Sequence, residues 1–289
     1  MAARTKAELL LVLITMIWGS TFVVVKSALA DAAPFSFLAV RFTLAGLVLL
    51  FVLSRGRLDR EAILPGVLLG LFLFGGYAGQ TSGLRFTTPS KAAFITGFSV
   101  ILVPLITVFF GYRMRWANIT GALLGLAGLY LLVRPPALGE VNRGDVLVLL
   151  GAISFALHIV AVGQYATRFS FRHLVTVQIL VVGLAAVAIN PLDPGRMLNW
   201  TPRLAAAIVV TVIFATCVAF SVQNWAQQYT PPAHTALIFA LEPVFAAITS
   251  RIVLGEHLGG ETLAGCLLIL GGMVVSEIWG GAAPAPVEG

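Results

Sequence analysis

Twelve polar side chains interrupt otherwise apolar stretches of this sequence: Lys26, Arg41, Tyr77, Gln80, Lys91, His158, Gln164, Gln178, Gln223, Asn224, His234 and Glu242. Charged and strongly polar groups are costly in apolar surroundings, so each needs a partner or a task. Glu242 lies deepest among the acids and is followed by Pro243, which removes a helical hydrogen bond and favours a kink. Such a carboxyl can carry a coupling proton or form a static ion pair with Arg41 or another base, and the static pairing is the expectation here. His158 falls mid-run in AISFALHIVAVG. An imidazole titrates near neutrality, so it can relay a proton toward a cavity, or simply donate a hydrogen bond to a neighbouring helix. Arg41 lies about two helical turns inside its run, too deep to reach the surface, and calls for a helix C-terminus or a carboxylate as partner. Gln80 and Gln223 each offer an amide donor and acceptor, for a polar ligand or an interhelical bond. Lys26, Lys91 and His234 lie near run ends, where their heads can reach the headgroups.

The elements that must position these groups are read from composition. Of 289 residues, 59% are hydrophobic and only 10% charged, with mean hydropathy +0.98. A soluble domain carries about 25% charged residues, so the chain is read as an all-α integral membrane protein. Its net charge of +6 comes from basic residues scattered singly, which argues against nucleic acid as a partner. Cys217 and Cys266 each fall mid-run and read as small core residues rather than a disulfide.

A bilayer core takes about 20 apolar residues per helix. Ten runs meet that rule: Glu8–Leu29, Phe35–Leu53, Ala62–Leu84, Pro89–Gly111, Trp116–Val133, Asp145–Tyr165, Leu174–Asn190, Leu204–Trp225, Pro232–Leu254 and Glu261–Trp279. The first is too long for a signal-peptide core and is read as a span. The Pro/Ala/Gly-rich tail, 280–289, is expected to be disordered. Ten spans place both termini on one side, and a slight excess of Lys and Arg assigns that side to the cytoplasm.

The second half of the sequence repeats the first. An offset of 137 places Glu8 on Asp145, Trp18 on Phe155 and Val40-Arg41 on Val177-Gln178. An offset of 143 places Gln80 on Gln223, Phe86 on Tyr229, Pro89 on Pro232 and Ala93 on Ala236, and one of 144 places Gly121 on Gly265 and Gly128 on Gly272. The expected organisation is therefore ten transmembrane helices as two inverted five-helix repeats, residues 1–137 and 138–279, since an odd number of spans reverses the second unit. Glycines at four-residue spacing (Gly75, Gly79, Gly83; Gly66, Gly70; Gly121, Gly125) lay flat stripes on helix faces, for packing or for sliding.

Motifs of soluble enzymes are absent: there is no GxxxxGK[ST], HExxH or CxxC, and Glu256-His257 lies in a short hinge. The reading is a non-enzyme without cofactor or metal.

Five segments taken in order, IWGSTFVVVKSAL, PFSFLAVRFTLAG, GLRFTTPSKAAFITG, LEPVFAAITSRIVLGEHL and ETLAGCLLILGGMVV, resemble the EamA-type transporters of the drug/metabolite transporter superfamily over nearly the whole chain. The resemblance implies a ten-helix inverted-repeat carrier of the bacterial inner membrane that exports amino acids, other small metabolites or toxic compounds, with protons as the suspected drive. It also implies a central cavity walled by runs one, three, four, six, eight and nine. Trp18, Tyr77, Gln80, Phe94, His158, Gln223 and Glu242 fall on those runs. One departure stands out: Pro89 and Pro104 are fifteen apart but Pro232 and Pro243 eleven, so the fourth and ninth helices are expected to bend at different depths.

The leading expectation is a secondary exporter working by alternating access. Trp18, Tyr77 and Phe94 would supply apolar or cation–π contacts, Gln80, His158 and Gln223 polar anchors, and Glu242 and Arg41 coupling or structural charges. The other readings are a flippase-like lipid handler, which predicts stabilisation by lipid, and a non-transporting scaffold, which predicts a bound partner subunit. Monomer and homodimer both stay open.

Overall fold

A computed structural model describes residues 2–83, 86–87, 89–109, 115–133, 141–193, 197–254 and 259–280. Helices joined by short turns make up these residues, and the one bridge among them, between Ala32 and Leu198, is isolated. The side chains of Lys26 and Lys91, the Glu256-His257 hinge and the 281–289 tail fall outside the described set.

In order, α1 is Ala2–Ala28, α2 Pro34–Val48, α3 Arg60–Gly83, α4 Pro89–Gly97, α5 Ser99–Phe109, α6 Trp116–Val133 and α7 Arg143–Tyr165. Then come α8 Phe171–Ile189, α9 Pro202–Val212, α10 Ala219–Ala226, α11 Pro232–Phe239, α12 Glu242–Leu254 and α13 Gly260–Gly280. A π-helical turn extends α2 through Leu49–Leu53, and a second, Ile213–Val218, joins α9 to α10. Five stretches are long and apolar enough to cross a membrane: Pro34–Leu53, Arg60–Gly83, Arg143–Tyr165, Phe171–Leu192 and Pro202–Ala226. Shorter apolar helices lie at Phe94–Phe109, Trp116–Leu131 and Gly260–Ser276. The protein is a multi-pass membrane protein.

Local chemistry sets the helix starts. Proline, whose missing N–H costs nothing in a first turn, opens α2, α9 and α11. At α7, Asn142 accepts from the Gly144 and Asp145 amides at 2.7 and 3.1 Å, while Asp145 accepts from the Asn142 amide at 2.9 Å. That reciprocal cap satisfies the Asn142, Gly144 and Asp145 amides at the helix start.

Helix α6 packs on α13, α3 on α7 and α8, α2 on α8 and α9, α1 on α9, α10 and α12, and α4 and α5 on α7. Glycines permit the closest of these approaches. A Cβ on Gly128 would stand 2.5 Å from the Gly265 carbonyl, and one on Gly272 2.5 Å from that of Gly121. The Gly75–Gly83 stripe lies on α7, where a Cβ on Gly79 would meet Gly151 at 2.9 Å and one on Gly83 the Gly144 carbonyl at 2.7 Å. The stripe is thus a packing surface.

Two runs read as continuous are broken. Helix α4 ends at Gly97 and α5 begins at Ser99; α11 ends at Phe239 and α12 begins at Glu242. Carried forward by 143, Ser99 falls on Glu242, so the breaks lie at matching positions of the sequence repeat. The expectation of unequal bends, drawn from the proline spacing, is corrected. Pro243 sits in the first turn of α12, where it ends one helix and starts the next, but Pro104 lies inside α5 and the first-half break comes at Gly97.

Loops are tied down on one face. Asp31, in the turn after α1, accepts from Arg203 Nε and Nη2 at 2.8 and 2.9 Å and from Thr201 Oγ1 at 2.8 Å. Hydrogen bonds from Arg203, then Thr201, hold the Asp31 carboxyl below its ordinary pKa. A lowered carboxylate pKa stabilises the fold above the unfolded-state value, and the contribution is lost as pH falls through the folded one. The stability difference between parent and Arg203→Ala is therefore expected at neutral pH and should vanish in acid below the carboxylate range. Thermal unfolding against pH reads this, and a pH-independent difference would contradict it.

Candidate functional site

Helices α1, α2, α3, α7 and α10 converge on a layer of aromatic rings. Trp18 on α1 meets Phe220 on α10 at 5.4 Å between centroids and Phe239 on α11 at 5.1 Å. Tyr77 on α3 meets Phe155 on α7 at 5.4 Å and Phe42 on α2 at 5.0 Å. These tilted and edge-on contacts suit the ring quadrupoles. The offset of 137 carries Trp18 onto Phe155, and that of 143 carries Tyr77 onto Phe220. One pair is thus the repeat image of the other, at the same separation.

The π-helical turn between α9 and α10 supplies polar anchors for this layer. The Ala215 carbonyl accepts from Trp18 Nε1 at 2.9 Å and from Arg41 Nη2 at 3.2 Å. Arg41 Nε donates to Thr216 Oγ1 at 2.8 Å. The guanidinium carbon stands 4.9 Å from the Phe42 ring centroid and 5.7 Å from that of Tyr77, within cation–π range. Arg41 is 4% exposed, and among the described residues no carboxylate lies within 4.0 Å of it.

The expected Arg41–Glu242 ion pair is therefore not formed. Arg41 is spent on the π-turn instead, because that turn offers a carbonyl and a hydroxyl within reach of α2. Glu242, half-buried in the first turn of α12, makes no ion pair among the described residues. A helix N-terminus suits a carboxylate there. Ser20 on α1 and Thr249 on α12 share a 3.1 Å hydrogen bond that holds α12 beside α1.

His158 is 2% exposed and its Nε2 lies 2.7 Å from Gln178 Oε1. The acceptor is a carbonyl oxygen, so Nε2 carries the proton and the pair bonds α7 to α8. The ring also stands edge-on to Phe220 at 6.2 Å. Removing one partner strands the other, whereas removing both leaves an apolar contact. His158→Leu is expected to destabilise by about 1–3 kcal/mol and the double change with Gln178→Leu by less, as chemical or thermal unfolding can read. A double variant worse than the single would contradict this.

Gln223, 1% exposed, donates to Gln227 Oε1 at 3.0 Å, and Gln227 donates to the Ile159 carbonyl at 2.8 Å. Gln223 Oε1, like Asn224 Oδ1, has no hydrogen-bond partner among the described residues. Gln80, its repeat mate, is half-buried and donates to Thr96 Oγ1 at 3.2 Å. The two amides thus serve their own neighbourhoods. His234, expected at the headgroups, is buried with Nε2 3.7 Å from Glu8 Oε1. Both cysteines are free thiols, half-buried.

Phe94 stands apart from the aromatic layer. It packs on Phe98 and Tyr130 at 5.2 and 5.8 Å. With Leu123, Leu126, Ala127, Tyr130 and Leu131 it lines a groove of about 470 Å³ between α4 and α6, open to the outside. The layer therefore gathers Trp18, Tyr77 and Arg41, reaches His158 through Phe220, and leaves Phe94 outside, while Glu242 lies on α12, which packs on α1. Phe42, Phe155, Phe220 and Thr216 line the same layer without having been among the expected site residues. The repeat offsets pointed to Phe155 and Phe220, but nothing in the sequence marked the π-helical turn.

Comparison with known proteins agrees with this architecture. A transporter of Archaeoglobus fulgidus, of uncharacterised activity, is 34% identical over 281 residues, covering 95% of this chain and 87% of its own. The inner membrane transporter YedA of Escherichia coli K12, also uncharacterised, is 28% identical, covering 91% and 86%. YvbV of Bacillus subtilis, another uncharacterised transporter, is 27% identical over 92% and 90%. A solved crystal structure superposes with a TM-score of 0.78 at 24% identity, covering 94% of this chain and 96% of that one, a likeness of fold. The EamA family model matches twice in succession, at residues 5–134 and 142–277, and the chain belongs to the EamA-like transporter family.

Proposed function

We propose that the chain is a ten-span secondary carrier of the bacterial inner membrane that exports small metabolites by alternating access. Its two five-helix halves, 1–137 and 138–279, insert in opposite directions, and both termini lie in the cytoplasm. The observation that carries this reading is the repeated aromatic pair, Trp18–Phe220 and Phe155–Tyr77, each at 5.4 Å. A two-fold repeat carries one such contact onto the other, and an odd number of spans in each half makes that repeat inverted about a midplane axis.

The helix pairing supports it as well. Exchanging the halves sends α3 on α7 to the α9–α10 path on α1, and α3 on α8 to α9 on α2. It sends α4 and α5 on α7 to α11 and α12 on α1, while α2 on α8 and α6 on α13 map onto themselves. The tandem family match and the equal helix breaks at Ser99 and Glu242 add to it.

Substrate sits in the aromatic layer with Trp18 and Tyr77 as walls, and Glu242 carries the coupling proton. Efflux from sealed proteoliposomes loaded with mixed amino acids and organic acids, followed by mass spectrometry, tests this. Selective release above protein-free vesicles is expected, faster with an imposed pH gradient; release no faster than from those vesicles would overturn it. Glu242→Gln is expected to abolish the pH-gradient effect while leaving exchange at equilibrium intact, and a retained gradient effect would remove Glu242 from the coupling step.

The groove between α4 and α6 favours a second reading, lipid handling, because it is apolar and open. Movement of labelled lipid between leaflets, with no metabolite efflux, would select that reading.

A further inference from the structure

We infer that Arg41 is the anchor for an anionic group, and that the transported substrates are small organic anions bearing a carboxylate on an apolar body. The inference rests on the carrier reading and names its substrate class.

A guanidinium stays charged at every working pH. Taken out of water, such a charge is costly unless an anion or several oriented acceptors face it. Arg41 has the hydroxyls of Thr216 and Tyr77, the Ala215 carbonyl and the rings of Phe42 and Tyr77, but no carboxylate within 4.0 Å among the described residues. Two of its N–H groups are taken by Thr216 and Ala215, a third faces the Tyr77 hydroxyl, and the fork holds five. Donors remain for a planar, two-oxygen acceptor, which a carboxylate matches in shape and charge.

A purely structural strap does not need the charge. Gln178, which the offset of 137 places on Arg41, bonds α8 to α7 through His158 with a neutral amide. The positive charge is therefore a feature of one half alone, and it sits where the rings of Trp18, Phe220, Tyr77 and Phe155 converge. Those rings present apolar edges and faces to whatever body carries the anionic group. Glu242 makes no ion pair with Arg41, so it does not neutralise the guanidinium in this arrangement.

Isothermal titration of the full chain in lipid nanodiscs tests the inference with three probes of one shape: cyclohexanecarboxylate, cyclohexanecarboxamide and cyclohexylmethylammonium. The carboxylate is expected to bind about tenfold or more tighter than the amide, the step from a neutral to a charge-assisted hydrogen-bonded pair, and the ammonium weakest. Arg41→Gln is expected to erase the preference for carboxylate over amide. Arg41→Lys, which keeps the charge without the fork, should retain only part of it. Should Arg41→Gln fail to fold, Arg41→Lys and the parent's ranking decide. Equal affinity of the parent for carboxylate and amide, or an undiminished preference in Arg41→Lys or Arg41→Gln, overturns the inference. Binding does not depend on transport: anion preference without efflux removes the carrier reading alone, and efflux of neutral solutes only removes this inference alone.

Discussion

Gly128→Ala is expected to destabilise the protein by about 3 kcal/mol, the upper part of the usual range for overpacking. The added Cβ would stand 2.5 Å from the Gly265 carbonyl and 2.9 Å from the Ile269 amide. Both are backbone atoms, so no side chain can swing away, and α6 and α13 must separate along their contact. Packing between helices in a bilayer rests on such close approach rather than on a hydrophobic drive. Gly272→Ala meets the Gly121 carbonyl at 2.5 Å and should cost as much. Two neighbours act as controls. A Cβ on Gly125 meets the flexible end of Leu237 at 3.1 Å, and one on Gly271 meets nothing within 4 Å. The expected order of unfolding temperature in detergent is Gly271→Ala highest, then Gly125→Ala, with Gly128→Ala and Gly272→Ala lowest. Equal values across the four would contradict the interface described here.

The second large effect concerns flux. Trp18→Ala is expected to lower efflux by about tenfold or more, since it removes two ring contacts and the indole bond to Ala215 from the proposed substrate layer. Phe94→Ala removes a ring of comparable bulk from the groove between α4 and α6, outside that layer. It should leave efflux per folded molecule within about twofold, because a change that misses the transition between states costs stability rather than rate. Equal losses in the two variants would show that ring count, not position, governs transport.

Membrane class and family were legible because apolar runs and quoted motifs depend on residue type alone. Repeat offsets were legible too, and they carried Trp18 onto Phe155 before any contact was known. The breaks were not: Pro104 and Pro243 look alike in the sequence, yet one lies within α5 and the other opens α12. Proline marks where a helix can end, and packing decides where it does. Arg41's partner was hidden for a related reason. A π-helical turn needs no special residue, so Ala215 and Thr216 gave no sign that a carbonyl and hydroxyl would be turned toward α2. Phe94 was expected in a cavity wall because of the run it sits on, by resemblance; helix rotation, which spacing does not fix, turns its ring toward α6.

Alternating access of two inverted halves is the central claim, and distances across both faces test it most directly. Spin labels at Ala30 and Asn199 span the halves on the face tied by Asp31 and Arg203; labels at Arg57 and Thr167 span them on the other, and all four positions are exposed. In lipid vesicles, adding the metabolite that scores in efflux should lengthen one pair's distance while shortening the other's. Both pairs unchanged, or both moving in the same sense, would contradict rocking of the halves about the Trp18–Tyr77 layer.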